Sequence, residues 1–154
     1  MVEACYDLFN NHSHPNYTFI PNKYPDKHVK LICASYFDCD FGSEQYDCVI
    51  SFETLHHFTH EQKTALYERL VKTLKHGGRY VEGDYMVETQ EREDELFAQK
   101  AAYQAAQNIK DGDIYHFDTP CTVDNQIKMF LQAGFSIAEK VWRNGNTTII
   151  VGYK

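Results

Sequence analysis

A chain of 154 residues, 43% of them hydrophobic, is long enough to bury a core as one domain. Its formal net charge of -7 excludes a nucleic-acid backbone as the main partner, because that role needs clustered Lys and Arg. No apolar run approaches a membrane span and Met1-Val2-Glu3 begins no signal peptide, so the expected location is the cytoplasm.

The five cysteines are an odd number, and none forms a Cys-x-x-Cys pair. Cys33, Cys39 and Cys48 fall in or near predicted strands. They read as buried thiols rather than disulfides or a zinc site.

In chain order, Val2, Ala4, Cys5, Leu8 and Phe9 carry a weak helical stripe that ends at Asn10-Asn11. Residues 12–27 are turn-rich, with Pro15, Pro21 and Pro25, and predict a long irregular connection. Residues 29–34 (Val-Lys-Leu-Ile-Cys-Ala) predict a strand leading to Ser35-Tyr36-Phe37. After a polar turn, residues 47–51 predict a buried strand of a parallel sheet, with Ser51 to His57 at its exit.

Thr59 with Gln62 forms a capping-box pattern, and Leu66, Leu70, Val71 and Leu74 mark one helical face. Lys75-His76 are expected in the last turn, before Gly77-Gly78. A strand over 79–87 and a helix over 91–108 come next. The helix carries a core stripe of Leu96, Phe97, Ala101 and Ala105.

Residues 110–121 predict a loop. Thr122 then caps a helix whose expected apolar face is Val123, Ile127, Phe130 and Leu131, ending at Gly134. Two runs, 136–142 and 147–153, are joined through Asn144-Gly145 as a hairpin, with Trp142 packed against a helix.

Alternating strands and helices predict an α/β fold, with a mostly parallel sheet, helices on both faces and an antiparallel C-terminal hairpin. Residues 1–28 are expected to form an irregular segment with room for a short helix, and residues 29–154 the partial α/β domain.

Several segments carry a family resemblance. Tyr46-Asp-Cys-Val-Ile-Ser with Leu55-His-His-Phe resembles the fourth strand and following turn of class I S-adenosylmethionine-dependent methyltransferases. Leu70 to Tyr80 is similar to that family's helix, Lys-Pro-Gly-Gly turn and fifth strand, with His76 in place of Pro. Ala133-Gly134-Phe135 followed by a hairpin also looks like this family.

The resemblance implies a Rossmann-like domain and S-adenosylmethionine as cofactor. The family's Gly-rich cofactor turn has no counterpart, since the first glycine is Gly42. The chain therefore reads as the C-terminal two-thirds of such a domain, N-terminally truncated. Two missing strands are expected between segments 29–34 and 47–51. The unpaired edges demand either direct pairing of those two segments or self-association.

By the same resemblance, Ser35 and Tyr36 face the adenine, although a serine accepts more weakly than the family's acid. Ser51, Phe52 and Glu53 line the sulfonium side. His57 faces the substrate, and Tyr115 and His116, in a loop that also holds Asp118, fold over the site. A His beside an Asp there can act as general base.

Each position also has a plainer reading. Ser35-Tyr36 makes a strand-end turn, Phe52 is core, Glu53 is an acid at a helix entrance, and 115–118 is a surface loop. Asp84 and Tyr85 either face substrate or form a solvated turn.

The function expected is methylation of a small molecule, weak or absent in this chain alone. The alternatives are a non-catalytic binding or structural module, or a metal-dependent enzyme using His56, His57 and His60.

Overall fold

The computed structural model describes residues 2–6, 29–110 and 117–154. The chain divides into two compact units, Met1–Asp40 and Phe41–Lys154.

In the first unit, β1 (Val2–Tyr6) runs parallel to β2 (Val29–Cys33), with Val2 opposite Val29 and Tyr6 opposite Cys33. Where a helix is expected within residues 2–10, residues 2–6 are therefore a strand. The residues at 2, 4 and 6 fit a two-residue period as well as a helical one, and a helix this short is marginal without tertiary support. Among the described residues, the strand paired with β2 is β1.

The second unit holds a four-stranded sheet in the order β3-β4-β6-β5. β3 (Tyr46–Phe52) pairs in parallel with β4 (Leu74–Tyr85), while β6 (Thr147–Tyr153) lies antiparallel to both β4 and β5 (Ile137–Asn144). The hairpin turns where Asn144-Gly145 predicts it. Gly145 adopts φ +57, which costs glycine nothing.

Helix α1 (His60–Thr73) connects β3 to β4 and opens with the expected capping box. The Thr59 hydroxyl accepts from the Gln62 N–H at 3.3 Å, and the Gln62 side chain accepts from the Thr59 N–H at 2.9 Å. The helix ends at Thr73, so Lys75-His76 belong to β4 rather than to a last helical turn. Leu74 is wholly buried opposite Tyr46, and Lys75 reaches the Asp47 carboxylate at 2.9 Å. Those contacts win over helix propensity.

Helix α2 (Gln90–Gln107) is capped by Thr89, and α3 (Val123–Gln132) by Thr122. Their inner faces differ from the apolar stripes. In α2 only Glu93 and Leu96 are buried, and Ala101 and Ala105 are exposed. In α3 the buried residues are Gln126, Met129 and Phe130, and Leu131 is exposed. Trp142, expected against a helix, stands half-exposed on edge strand β5. Cys39 is buried as expected, whereas Cys48 is exposed.

The core of this unit joins α1, β4 and α3 through Tyr67, Tyr80 and Phe130, with Phe135 from the segment after α3, the ring centroids lying 4.7–6.1 Å apart. Gly152 allows it, since a Cβ there would lie 2.7 Å from Phe130 and 2.8 Å from Phe135. Inside this apolar shell, Glu82 accepts from the Tyr67 hydroxyl at 2.7 Å, the Tyr80 hydroxyl at 2.8 Å and the Gln126 amide at 3.0 Å. Lys63 donates to Gln126 at 3.3 Å and to the Cys121 sulfur at 3.2 Å. Three elements, α1, β4 and α3, are thus tied by one buried polar layer.

Candidate active site

The carboxyl ends of β3 and β4 lie side by side, because the two strands are parallel neighbours. Ligands of α/β sheets bind at such ends. Ser51, Phe52 and Glu53 leave β3 there, and Asp84 and Tyr85 leave β4.

The Ser51 hydroxyl lies 2.6 Å from that of Tyr80, which donates onward to Glu82. The buried layer therefore fixes Ser51. Phe52 is exposed, not core, and its ring lies over Gly83, where a Cβ would approach it to 2.5 Å. Glu53 is exposed at φ +50, a left-handed conformation uncommon outside glycine, and its N–H donates to the Gly83 carbonyl at 2.8 Å. That hydrogen bond holds the strand exit in a defined turn.

Beyond the turn, His56 Nδ1 meets Asp84 Oδ1 at 2.5 Å. Asp84 is itself held by backbone donors, the Leu55 N–H at 2.9 Å and the Tyr85 N–H at 2.7 Å. Burial opposes the charge on His56, but hydrogen bonding to Asp84 and the Asp84 and Asp118 charges overcome it and raise its pKa above the usual value. Burial likewise works against the Asp84 carboxylate, yet His56 draws its pKa below the usual range.

His57 lies 3.2 Å from Asp118 through Nδ1, and His56 Nε2 lies 3.6 Å from the same oxygen. Asp118 is positioned by its neighbour Thr119, whose N–H and hydroxyl donate to the His56 carbonyl at 2.7 and 3.3 Å. Lys100 of α2 donates to the His57 carbonyl at 3.0 Å.

The structure brings Ser51, Phe52, Glu53 and His57 to one corner and adds His56, Asp84 and Asp118. Asp84 is neither solvated nor a turn residue but a buried partner of His56. Its signal in the sequence was position alone, two residues beyond Glu82 on a strand adjacent to the one feeding Leu55-His56-His57.

Tyr115 and His116 lie outside the described residues. Ser35 and Tyr36 belong to the first unit. There the Ser35 hydroxyl accepts from the Phe37 N–H at 3.2 Å, closing a local turn.

The expected His56/His57/His60 cluster divides in two. His60 opens α1 and pairs instead with Glu93 Oε1 at 2.8 Å, beside Cys121. Hydrogen bonding to Cys121 and then to Glu93 raises the His60 pKa to about 10. Burial works against the Glu93 carboxylate, but His60, the Thr122 N–H and Asn125 together draw its pKa down to about 2. This ion pair ties the first turn of α1 to α2 and α3.

A family model described as "Methyltransferase domain" matches residues 16–78. No curated protein matches the chain in sequence. Among solved structures, a candidate O-methyltransferase from Nostoc punctiforme is 24% identical with a TM-score of 0.59, covering 82% of this chain and 36% of its own. Human N-acetylserotonin methyltransferase, solved with S-adenosylmethionine, is 15% identical with a TM-score of 0.60, covering 91% of this chain and 38% of its own. An O-methyltransferase family 2 protein from Planctomyces limnophilus, solved with apigenin, is 14% identical with a TM-score of 0.62 and covers 92% and 41%. The chain thus spans about two-fifths of the length of each of these three structures. In fold, and over residues 16–78 in sequence, it is similar to methyltransferases of Rossmann-like architecture.

Proposed function

We propose that the chain serves S-adenosylmethionine-dependent methylation of a small molecule in the cytoplasm, supplying the acceptor side of the site. One observation carries this reading. The adjacent carboxyl ends of β3 and β4 deliver the Ser51–Glu53 turn and the His56–Asp84 pair to a single corner. Among the described residues no helix is long and apolar enough to cross a membrane.

Methyl transfer needs the acceptor oxygen or nitrogen in line with the sulfonium methyl, so positioning supplies most of the rate. The exposed ring of Phe52 is available to face the cation. His56, its Nδ1 held by Asp84, presents Nε2 to take the acceptor's proton, and His57 stands beside it on the substrate side. Ser35 and Tyr36 remain the adenine-side candidates, and Tyr115 and His116 the covering ones.

No Gly-rich turn precedes residue 29, so the cofactor is expected to bind this chain weakly. Titration with S-adenosylhomocysteine, followed by backbone amide NMR shifts, tests the reading. Weaker-than-micromolar binding with shifts concentrated at residues 35–36 and 51–53 is expected. An absence of shifts at millimolar ligand, or shifts confined elsewhere, overturns it.

A further inference from the structure

We propose that His56 Nε2, His57 Nδ1 and Asp118 Oδ1 form a binding site for one divalent first-row transition metal ion of the zinc class. One ligand atom from each of these three residues lies within 4.8 Å of the other two. The two separations to Asp118 are 3.6 and 3.2 Å. The longer is beyond hydrogen-bond range. Zinc binds such ligands at about 2.0–2.2 Å, which in a tetrahedron puts neighbouring ligand atoms about 3.3–3.6 Å apart. Both separations to Asp118 thus match neighbouring ligands of one ion.

Three further features fit. Imidazole, imidazole and carboxylate is a catalytic zinc donor set, three protein ligands with a position left open. Asp84 grips the far nitrogen of His56, as carboxylates behind metal-bound histidines do, and is itself fixed by two backbone N–H groups. Asp118 is 42% exposed and both imidazoles are largely covered, so the open position faces outward. The second cluster, His60, Glu93 and Cys121, is less suited. The Lys63 ammonium already stands 3.2 Å from the Cys121 sulfur, and His60 Nε2 is already ion-paired with Glu93 Oε1 at 2.8 Å.

Cation binding is independent of methyl transfer; its use in catalysis rests on that reading. With the ion bound, the imidazoles are ligands rather than bases. An acceptor hydroxyl in the fourth position loses its proton to water more readily. The resulting oxyanion attacks the methyl carbon, the O–C bond forming as the C–S bond breaks and the sulfonium leaves as a thioether.

The whole chain, stripped with a chelator, is titrated with zinc chloride against a chromophoric competitor, without cofactor or acceptor. One zinc per chain is expected. Affinity should fall at least about tenfold in Asp118→Asn and in His57→Ala, and about 10- to 100-fold in Asp84→Asn. It should be unchanged in Cys121→Ser. Cobalt should give d–d absorption without a thiolate charge-transfer band. Asp118 lies outside the core, so Asp118→Asn keeps the fold and carries the test if His57→Ala does not. Failure to bind zinc, binding indifferent to Asp118→Asn, or loss confined to Cys121→Ser overturns the proposal. None of these results bears on cofactor binding, so the two readings fail separately.

Discussion

The buried polar layer around Glu82 and the corner around His56 use similar residues to opposite ends. In the layer, Tyr67, Tyr80 and Gln126 hold Glu82 at 2.7–3.0 Å and Lys63 donates to Gln126 at 3.3 Å, closed by an aromatic shell. At the corner, Asp84 locks one side of His56 at 2.5 Å while Asp118 stands off at 3.2–3.6 Å, half in solvent. A satisfied network stabilises and orients, and a partly open one can take a ligand. The two meet at Ser51, held by Tyr80 from below and presented at the site from above.

Removing charge from the layer should have the largest effect. Lys63 is fully buried, and although burial disfavours its charge, Cys121, Glu82 and Asp84 hold its pKa above the ordinary value. Lys63→Met keeps the stem but leaves those groups uncompensated, which should cost about 3–5 kcal/mol in urea unfolding. A loss below about 1 kcal/mol would show that the layer is not electrostatically closed.

Glu82 gives the layer a pH signature. Burial, and then the Asp84 charge, push its pKa from the ordinary 4.5 to about 7. The folded state therefore holds a proton that the unfolded chain has released, and stability falls as pH rises from 4.5 to 7. The contribution lost is about 3 kcal/mol, at 1.36 kcal/mol per unit. Glu82→Gln should remove that slope. The Glu93 and His60 contributions are left intact, the first present above 4.5 and lost toward 2, the second present below 6.5 and lost toward 10. Unfolding free energies of the two proteins that change in parallel across pH 4.5–7 would contradict the assignment.

Asp84 stands between the two regions, and its replacement should be intermediate. Asp84→Asn weakens a buried hydrogen-bonded pair, for about 1–3 kcal/mol. Its sharper mark is on His56. With the carboxylate charge gone, burial dominates, and the NMR titration midpoint should drop from above 6.5 in the native chain to below it. An unmoved midpoint would detach His56 from Asp84 in solution.

Much of this was legible beforehand, for local reasons. The Thr59–Gln62 box, the Thr122 cap and the Asn144-Gly145 turn are set by residues within a few positions of one another, and each stands where the sequence puts it. That Ser51 to His57 run out from the end of a strand followed from strand patterning. What could not be read was long-range. Nothing local says that Gln126 and Glu93 turn inward while Leu131 and the α2 alanines turn out, because a buried polar layer inverts the apolar stripe. Nor does spacing reveal that His60 joins Glu93 and Cys121, from 33 and 61 positions away, rather than His56, only four residues before it. Val2–Tyr6 is a strand only because Val29–Cys33 offers a ladder.

The smallest stability effect is expected at Asp118, and it separates the two regions most cleanly. Its carboxylate is 42% exposed and makes no short charge-assisted contact with either histidine. Exposed ion pairs contribute about 0–1 kcal/mol, and surface substitutions usually stay within about 0.5 kcal/mol. Asp118→Asn should therefore leave the urea midpoint of the metal-free chain nearly unchanged. With zinc present, the native chain should gain stability by mass action, about 2.7 kcal/mol at a hundredfold excess over Kd, and the variant should not. A destabilisation of 2 kcal/mol or more in the metal-free variant would mean that Asp118 acts as the layer does, holding the fold rather than waiting for a ligand.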